Sequence, residues 1–189
     1  MRTFPLVLPV LQTARLELRA IAAGDIDALF AIHRDPQTMR YGSRGPYTSA
    51  EELQAHFEKT EQASADRPQL RWCLSRREDG KAIGTCSLYD IDAGNLRADV
   101  GYILSRDAWG RGFMREALTA ALDYTFEVMN LRRIEADIDP RNAASIAVLE
   151  KLGFQREGLL KERWLVEGEI CDSVLMGLLR SAWPPRPPA

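Results

Sequence analysis

A chain of 189 residues, 46% hydrophobic and 28% charged, has the composition of one globular domain with a sizeable core, which excludes a mainly disordered or membrane-embedded protein. Its formal net charge of -2 gives no broad positive field for nucleic acid or an anionic membrane, so any basic site must be local. Cys73, Cys86 and Cys171 are widely separated and form no Cys-x-x-Cys pair, which argues against a disulfide framework or a zinc site, predicts no metal and fits a reducing cytoplasm.

The apolar opening from Phe4 to Leu11 is interrupted by Pro5 and Pro9 and precedes no small-residue cleavage site, so residues 1–10 read as an extended lead-in. Leu16 and Leu18 alternate with Glu17 and Arg19 as in a strand. Gly24-Asp25 then offers a turn and an N-cap for a helix from Ile26 to His33, which Asp35-Pro36 stops. Gly42 to Tyr47 reads as a loop, and Thr48-x-x-Glu51 resembles a capping box opening a second helix through Phe57. Strand-like runs follow at Trp72 to Ser75, Ala82 to Asp90 and Ala98 to Leu104, parted by turn signals at Asp79-Gly80 and Ala93-Gly94-Asn95, and predict an antiparallel meander.

Helical spacing returns from Gly112 to Met129, where Met114, Leu118, Ala121, Leu122, Thr125 and Met129 share a face. A strand from Arg133 to Asp139 precedes a helix opened by Asn142 and closed at Leu152 by Gly153. Two last strands, Phe154 to Arg163 and Ile170 to Leu179, flank the Glu167-Gly168 turn. A single mixed α/β domain over residues 11–180 results, with residues 181–189 as a proline-rich tail that cannot continue helix or sheet. No run approaches the roughly 20 apolar residues of a membrane-spanning helix.

Asp99-Val-Gly-Tyr-Ile-Leu through Trp109-Gly-Arg-Gly-Phe-Met carries the chemistry, as a strand, a loop and a glycine-punctuated helix start. Gly110 and Gly112 allow close backbone approach, and the first helical turn leaves N–H groups unpaired at the positive end of the dipole, so a diphosphate would fit there. Arg115 stands where a dinucleotide fingerprint needs its third glycine, and no Gly-Lys-Ser/Thr follows.

Several separated segments together resemble the GNAT N-acetyltransferases, and within them the branch of the ribosomal-protein N-terminal acetyltransferases. They are Leu11-x-Thr13-x-Arg15-Leu16-x-Leu18-Arg19, Gly101-Tyr102-Ile103-Leu104, Trp109-Gly110-Arg111-Gly112-Phe113-x-x-Glu116-Ala117, Asn142-x-x-Ser145 and Lys151-Leu152-Gly153-Phe154, in the expected order. The resemblance implies the acyl-CoA N-acyltransferase fold, a central, mostly antiparallel sheet flanked by helices and splayed between its fourth and fifth strands. It implies acetyl-CoA as co-substrate, its pyrophosphate on the backbone of Gly110, Arg111, Gly112, Phe113 and Met114, and its pantetheine arm along Tyr102, Ile103 and Leu104. Asn142 would touch cofactor or water, and Ser145 would be the general acid that protonates the departing thiolate. Asn142 as an N-cap and Ser145 in a first turn would explain the same pair structurally.

Two departures from the family pattern stand out: Asp107 replaces a frequent Gln or Arg before the glycine turn, and Trp164 replaces a late-strand Glu. Aligned on the Gly101-Tyr102-Ile103-Leu104 strand, Asp99 falls where some members carry a catalytic Glu and becomes the leading base, with Glu162 behind it. An α-amine with pKa of about 7.7–8.0 is far easier to neutralise than a lysine near 10.4, so a weak base suits a protein N-terminus. The expected reaction is direct attack of an amine without a cysteine intermediate. The main reading is therefore a protein N-terminal acetyltransferase. The alternatives are a small-molecule acetyltransferase acting on a polyamine, amino acid or antibiotic, and a non-catalytic acyl-CoA sensor. His33 and His56 receive no role. Trp72, Trp109 and Trp164 read as packing residues, with Trp164 and the loop from Tyr41 to Tyr47 as candidate walls of an acceptor groove. The chain is expected to act as a monomer or homodimer, without nucleic-acid or membrane partners.

Overall fold

The computed structural model describes residues 8–62 and 69–184. The short pair β1 (Leu11–Gln12) and β2 (Leu16–Arg19) leads into α1 (Ile26–His33), α2 (Pro36–Met39) and α3 (Ala50–Gln62). The meander follows as β3 (Leu70–Arg76), β4 (Ala82–Asp92) and β5 (Arg97–Leu104), then α4 (Phe113–Asp123), β6 (Arg133–Ile138), α5 (Ala143–Lys151), β7 (Gln155–Val166) and β8 (Glu169–Leu179). They build the expected mixed α/β architecture, one eight-stranded sheet in the order β1-β2-β3-β4-β5-β6-β8-β7.

Every neighbouring pair is antiparallel except β5 and β6, which run parallel and meet only at Arg97↔Arg133, Ala98↔Ile134 and Asp99↔Glu135. Beyond Asp99 the two strands part, and this is the splay expected between the fourth and fifth strands, numbered one higher here because β1 precedes them. β5 stays paired with β4 as far as Leu104↔Gly84. Gly84 is required there, since a Cβ would stand 2.2 Å from the Ile103 carbonyl oxygen.

Alternation along β5 divides the molecule. Ala98, Val100 and Leu104 face the larger core with α4 and α5, whereas Ile103 packs on a smaller cluster made by α1 and α3 with Leu29, Leu53 and Phe57. Trp72 is fully buried, as expected of a packing residue, and its indole donates to the Pro9 carbonyl (2.8 Å).

Several local expectations shift. Asp35-Pro36 ends α1 but also begins α2, because Pro36 occupies the first helical turn and Asp35 Oδ1 accepts from the Gln37 amide (3.1 Å). The capping box lies one residue later than Thr48-x-x-Glu51: Ser49 Oγ accepts from the Glu52 amide (3.1 Å), and Glu52 accepts from Thr48. The helix expected to reach Met129 is α-helical only to Asp123 and continues as a π turn, Tyr124–Val128. Trp183, assigned to the tail, packs on Phe126 and donates to Asp123 (2.9 Å), so residues just after β8 are seated on the domain. Residues 1–7 and 185–189, in the lead-in and tail, lie outside the described residues. No helix among the described residues is long and apolar enough to cross a membrane.

Candidate active site

The splay opens a groove of about 1120 Å³ between the unpaired edge of β5, the start of α4 and the first turns of α5. Of the residues expected to bind the cofactor, Tyr102, Ile103, Leu104, Gly110, Gly112, Phe113, Met114 and Asn142 line it. Arg111 does not; its guanidinium lies 5.2 Å from the Phe113 ring centroid, and its carbonyl accepts from Arg15 (2.9 Å). The Leu104 carbonyl is engaged by the Trp109 indole (2.8 Å), which leaves Trp109 half-exposed at the rim rather than packed in the core.

Gly110 and Gly112 both take left-handed backbone angles, with φ of 69° and 80°. Gly112 is the N-cap of α4 and brings no side-chain cap, so the first-turn amides of α4 are presented to the groove. Arg15, Arg40, Arg115, Arg141 and Lys151 line the groove against two carboxylates, Glu116 and Asp123. This is the local positive field that the net charge conceals; Asp107, where a Gln or Arg is frequent, lies outside the groove, 3.8 Å from Lys81.

Arg15 and Glu116 lay within the resembling motifs without a role. Glu116 accepts from Thr13 Oγ1 (2.6 Å), the Arg15 amide (2.8 Å) and Arg15 Nε (2.7 Å), and so clamps the β1–β2 turn onto the first turn of α4. The same contacts hold the Arg15 guanidinium in the groove wall.

Asn142 does cap α5, its Oδ1 accepting from the Ser145 amide (3.1 Å). That cap turns Ser145 into the groove, 8% exposed, with its hydroxyl 2.6 Å from the Tyr102 hydroxyl across the splay. Burial pushes the Tyr102 phenol above its ordinary range, and the bond to Ser145 works against that rise. Sequence spacing could not reveal this pairing of two hydroxyls 43 positions apart.

Asp99 stands at the last β5–β6 pair, where the strands part. It lines neither cavity; Tyr89, its β4 partner in register, lines the second one. Burial, then the nearby Glu135 carboxylate, lift the Asp99 pKa to about 6, and its Oδ1 is buried with no hydrogen-bond partner among the described residues. Glu162 lies on exposed β7 near the sheet margin, and its amide donates to Asp172. Trp164 is half-exposed and donates to the Asp137 carboxylate, lining neither cavity.

A second cavity of about 490 Å³ continues from the groove, sharing Thr38, Tyr41, Tyr102, Ile103 and Asn142 with it. The Tyr41 to Tyr47 loop forms one side, and the β7–β8 turn closes on that loop through Glu167, which accepts from the Gly45 amide (3.3 Å). Arg141 ties the same parts together, pairing with Asp139 (2.6 Å) and Glu169 and lying 5.7 Å from the Tyr41 ring centroid. His33 and His56 both line this cavity. Burial holds the His33 pKa down to about 4, so it is neutral at physiological pH. Among the described residues no group of three or more His, Cys, Asp or Glu side chains is placed to hold a metal ion.

Residues 15–155 match the acetyltransferase (GNAT) domain family. The chain is 36% identical over 170 residues to the uncharacterized N-acetyltransferase p20 of Bacillus licheniformis, covering 90% of this chain and 96% of that protein. It superposes with a TM-score of 0.79 and 27% identity on the spermidine N-acetyltransferase of Vibrio cholerae in complex with CoA and spermine, covering 90% of this chain and 98% of that one. It is also 34% identical over 109 residues to the [ribosomal protein uS5]-alanine N-acetyltransferase of Escherichia coli, covering 57% of this chain and 56% of that protein.

Proposed function

The chain belongs to the GNAT family, as an N-acetyltransferase that draws its acetyl group from acetyl-CoA, and on that premise we propose that its acceptor is a primary amine of a small molecule. The observation that carries this reading is the second cavity, whose volume of about 490 Å³ suits a metabolite and which continues from the groove past Tyr102 and Ile103. The likeness to a polyamine enzyme over 90% of this chain supports it, while the likeness to the ribosomal-protein enzyme covers 57% of this chain.

The groove suits coenzyme A in both charge and backbone: five cations against two carboxylates, uncapped amides at the start of α4 and the unpaired edge of β5 from Val100 onward. When bound, acetyl-CoA supplies a thioester open to attack by a neutral amine, with a thiolate as the leaving group. The backbone of Gly110, Gly112, Phe113 and Met114, with Arg15, would hold phosphate, and the edge at Tyr102 to Leu104 would align the arm. Ser145 would give a proton to the leaving sulfur, and Tyr102, 2.6 Å away, would pass to Ser145 the second proton that the attacking nitrogen sheds as the amide forms. Asp99, mostly ionised at pH 7.5 with a pKa of about 6, lines neither cavity, so it takes up the proton of the incoming ammonium by a relay through Tyr89, its β4 partner, which lines the second cavity.

The test is thiol release from acetyl-CoA by purified protein, with polyamines, amino acids and aminoglycosides offered beside ribosomal-protein N-terminal peptides. Turnover with a small amine and none with peptides is expected; turnover confined to peptides would return the function to a protein N-terminus. Ser145→Ala should lower kcat about tenfold to a hundredfold, with some activity left through Tyr102, and Ser145→Ala with Tyr102→Phe should lose more than either alone.

A further inference from the structure

Two guanidinium groups, one from a loop and one from the sheet, line the second cavity. Arg44, from the loop after α2, lies with Cζ 3.7 Å from the Tyr47 ring centroid, and Arg71, on β3, lies with Cζ 4.6 Å from that of Phe57. His33 meets both of these rings edge-on, at 5.8 Å from Tyr47 and 5.7 Å from Phe57. Aromatic faces are what a pocket uses to hold an ammonium by its charge. Here guanidiniums already cover them.

Both arginines are held in direction. Arg44 Nη2 donates to Glu52 (2.7 Å) and its Nε to the Gly45 carbonyl (3.3 Å). Arg71 Nη1 donates to Thr60 Oγ1 (2.9 Å) and its Nε to Ser87 Oγ (3.4 Å). A planar guanidinium fixed against a ring loses little freedom when it takes a carboxylate or phosphate oxygen. The imidazoles beside them add no positive charge at neutral pH, since burial, followed by these same arginines, keeps His56 below its ordinary value and His33 near 4. Among the described residues lining the cavity the one carboxylate is Asp90, on the sheet side next to Tyr89.

We propose that the amine acetylated here carries a negative group, a carboxylate or a phosphate, remote from the reacting nitrogen, and that Arg44 and Arg71 bind it. The proposal rests on the small-molecule reading and departs from the polyamine chemistry of the Vibrio cholerae relative. A second ammonium on the acceptor would find the Tyr47 and Phe57 faces already covered by guanidiniums, whereas an anion there would gain charge-assisted hydrogen bonds and leave the nitrogen end toward Tyr102 and Ile103.

The experiment is steady-state acetylation by the full chain of four amines of matched length: pentylamine, 1,5-diaminopentane, 5-aminopentanoate and 4-aminobutyl phosphate. At least one anionic amine should exceed the diamine in kcat/KM by about tenfold or more, the effect of one charge-assisted contact, and the two anionic arms tell carboxylate from phosphate. Arg44→Gln and Arg71→Gln should each erase most of that preference, chiefly through KM, with a smaller change for pentylamine; Arg71→Lys, retaining charge, should keep part of it. A diamine used as well as both anionic amines, or a preference indifferent to both glutamine variants, overturns the proposal. Competition between 5-aminopentanoate and 1,5-diaminopentane for the CoA-saturated protein gives the same comparison without turnover. If peptides alone are acetylated, the small-molecule reading fails by itself. The charge proposal is then decided by peptides with Glu or Lys at the second position: preference for Glu lost in Arg44→Gln upholds it, and no preference ends it.

Discussion

As the proposed base, Asp99 would combine a gain for chemistry with a cost for folding. Its pKa of about 6 means that it is protonated, and unable to accept a proton, below that pH. The pH profile of kcat/KM should therefore rise through about 6 before the amine's own ionisation takes over, and Asp99→Asn should remove that inflection and lower the rate at pH 7.5 about a hundredfold. The stability sign runs the other way. A carboxyl raised in the folded state favours folding while it stays protonated, and that contribution is lost as pH rises through about 6. Chemical denaturation at pH 8 should find Asp99→Asn at least as stable as the parent, which separates a functional loss from a folding defect. Ser145 and Asp99 could both be picked out from their motifs. The Tyr102 partner of Ser145, and Tyr89 between Asp99 and the acceptor cavity, could not, because each depends on register across separate elements.

At the scale of elements, α4 illustrates how a local signal acquires its meaning. Two glycines with positive φ start the helix without a side-chain cap, an arrangement that would weaken an ordinary helix end. Glu116 offsets this by drawing the β1–β2 turn over that end with three hydrogen bonds, and the bonded Arg15 becomes part of the groove. Glu116→Ala should cost about 1–3 kcal/mol, read from denaturant midpoints, and raise the KM for acetyl-CoA several-fold because Arg15 loses its fixed position. The motif Arg15-Leu16-x-Leu18 was visible in the sequence; its partner Glu116, 101 positions away from Arg15, was visible too, but not the contact between them. The capping box missed by one residue for a related reason: Thr48 and Ser49 are both capable caps, and Glu52 decides by bonding to Thr48 while Ser49 caps its amide.

The whole molecule is a sheet split in two, with its groove where the halves part. A ligand bridging β5, α4 and α5 should tie those halves together. Coenzyme A at a hundred times its dissociation constant adds about 2.7 kcal/mol to the folded state, which for a chain of this size raises Tm by roughly 5–10 °C. A scan with and without coenzyme A checks this, and Glu116→Ala should show a smaller rise at the same concentration.

Composition, hydropathy period and turn residues were enough to establish the α/β class, nearly every helix and strand, the glycine turn that opens α4 and the family resemblance, because these depend on neighbours a few positions apart. The resemblance also pointed to acetyl-CoA, but it favoured a protein N-terminus, whereas the second cavity and the polyamine relative support a small amine. His33 and His56, given no role from their positions in sequence, stand in that cavity beside Arg44 and Arg71. Only tertiary structure brings these groups together: strand order places residues tens of positions apart on one wall, and a site's charge, hydroxyl pairs and volume are sums over side chains that only folding assembles.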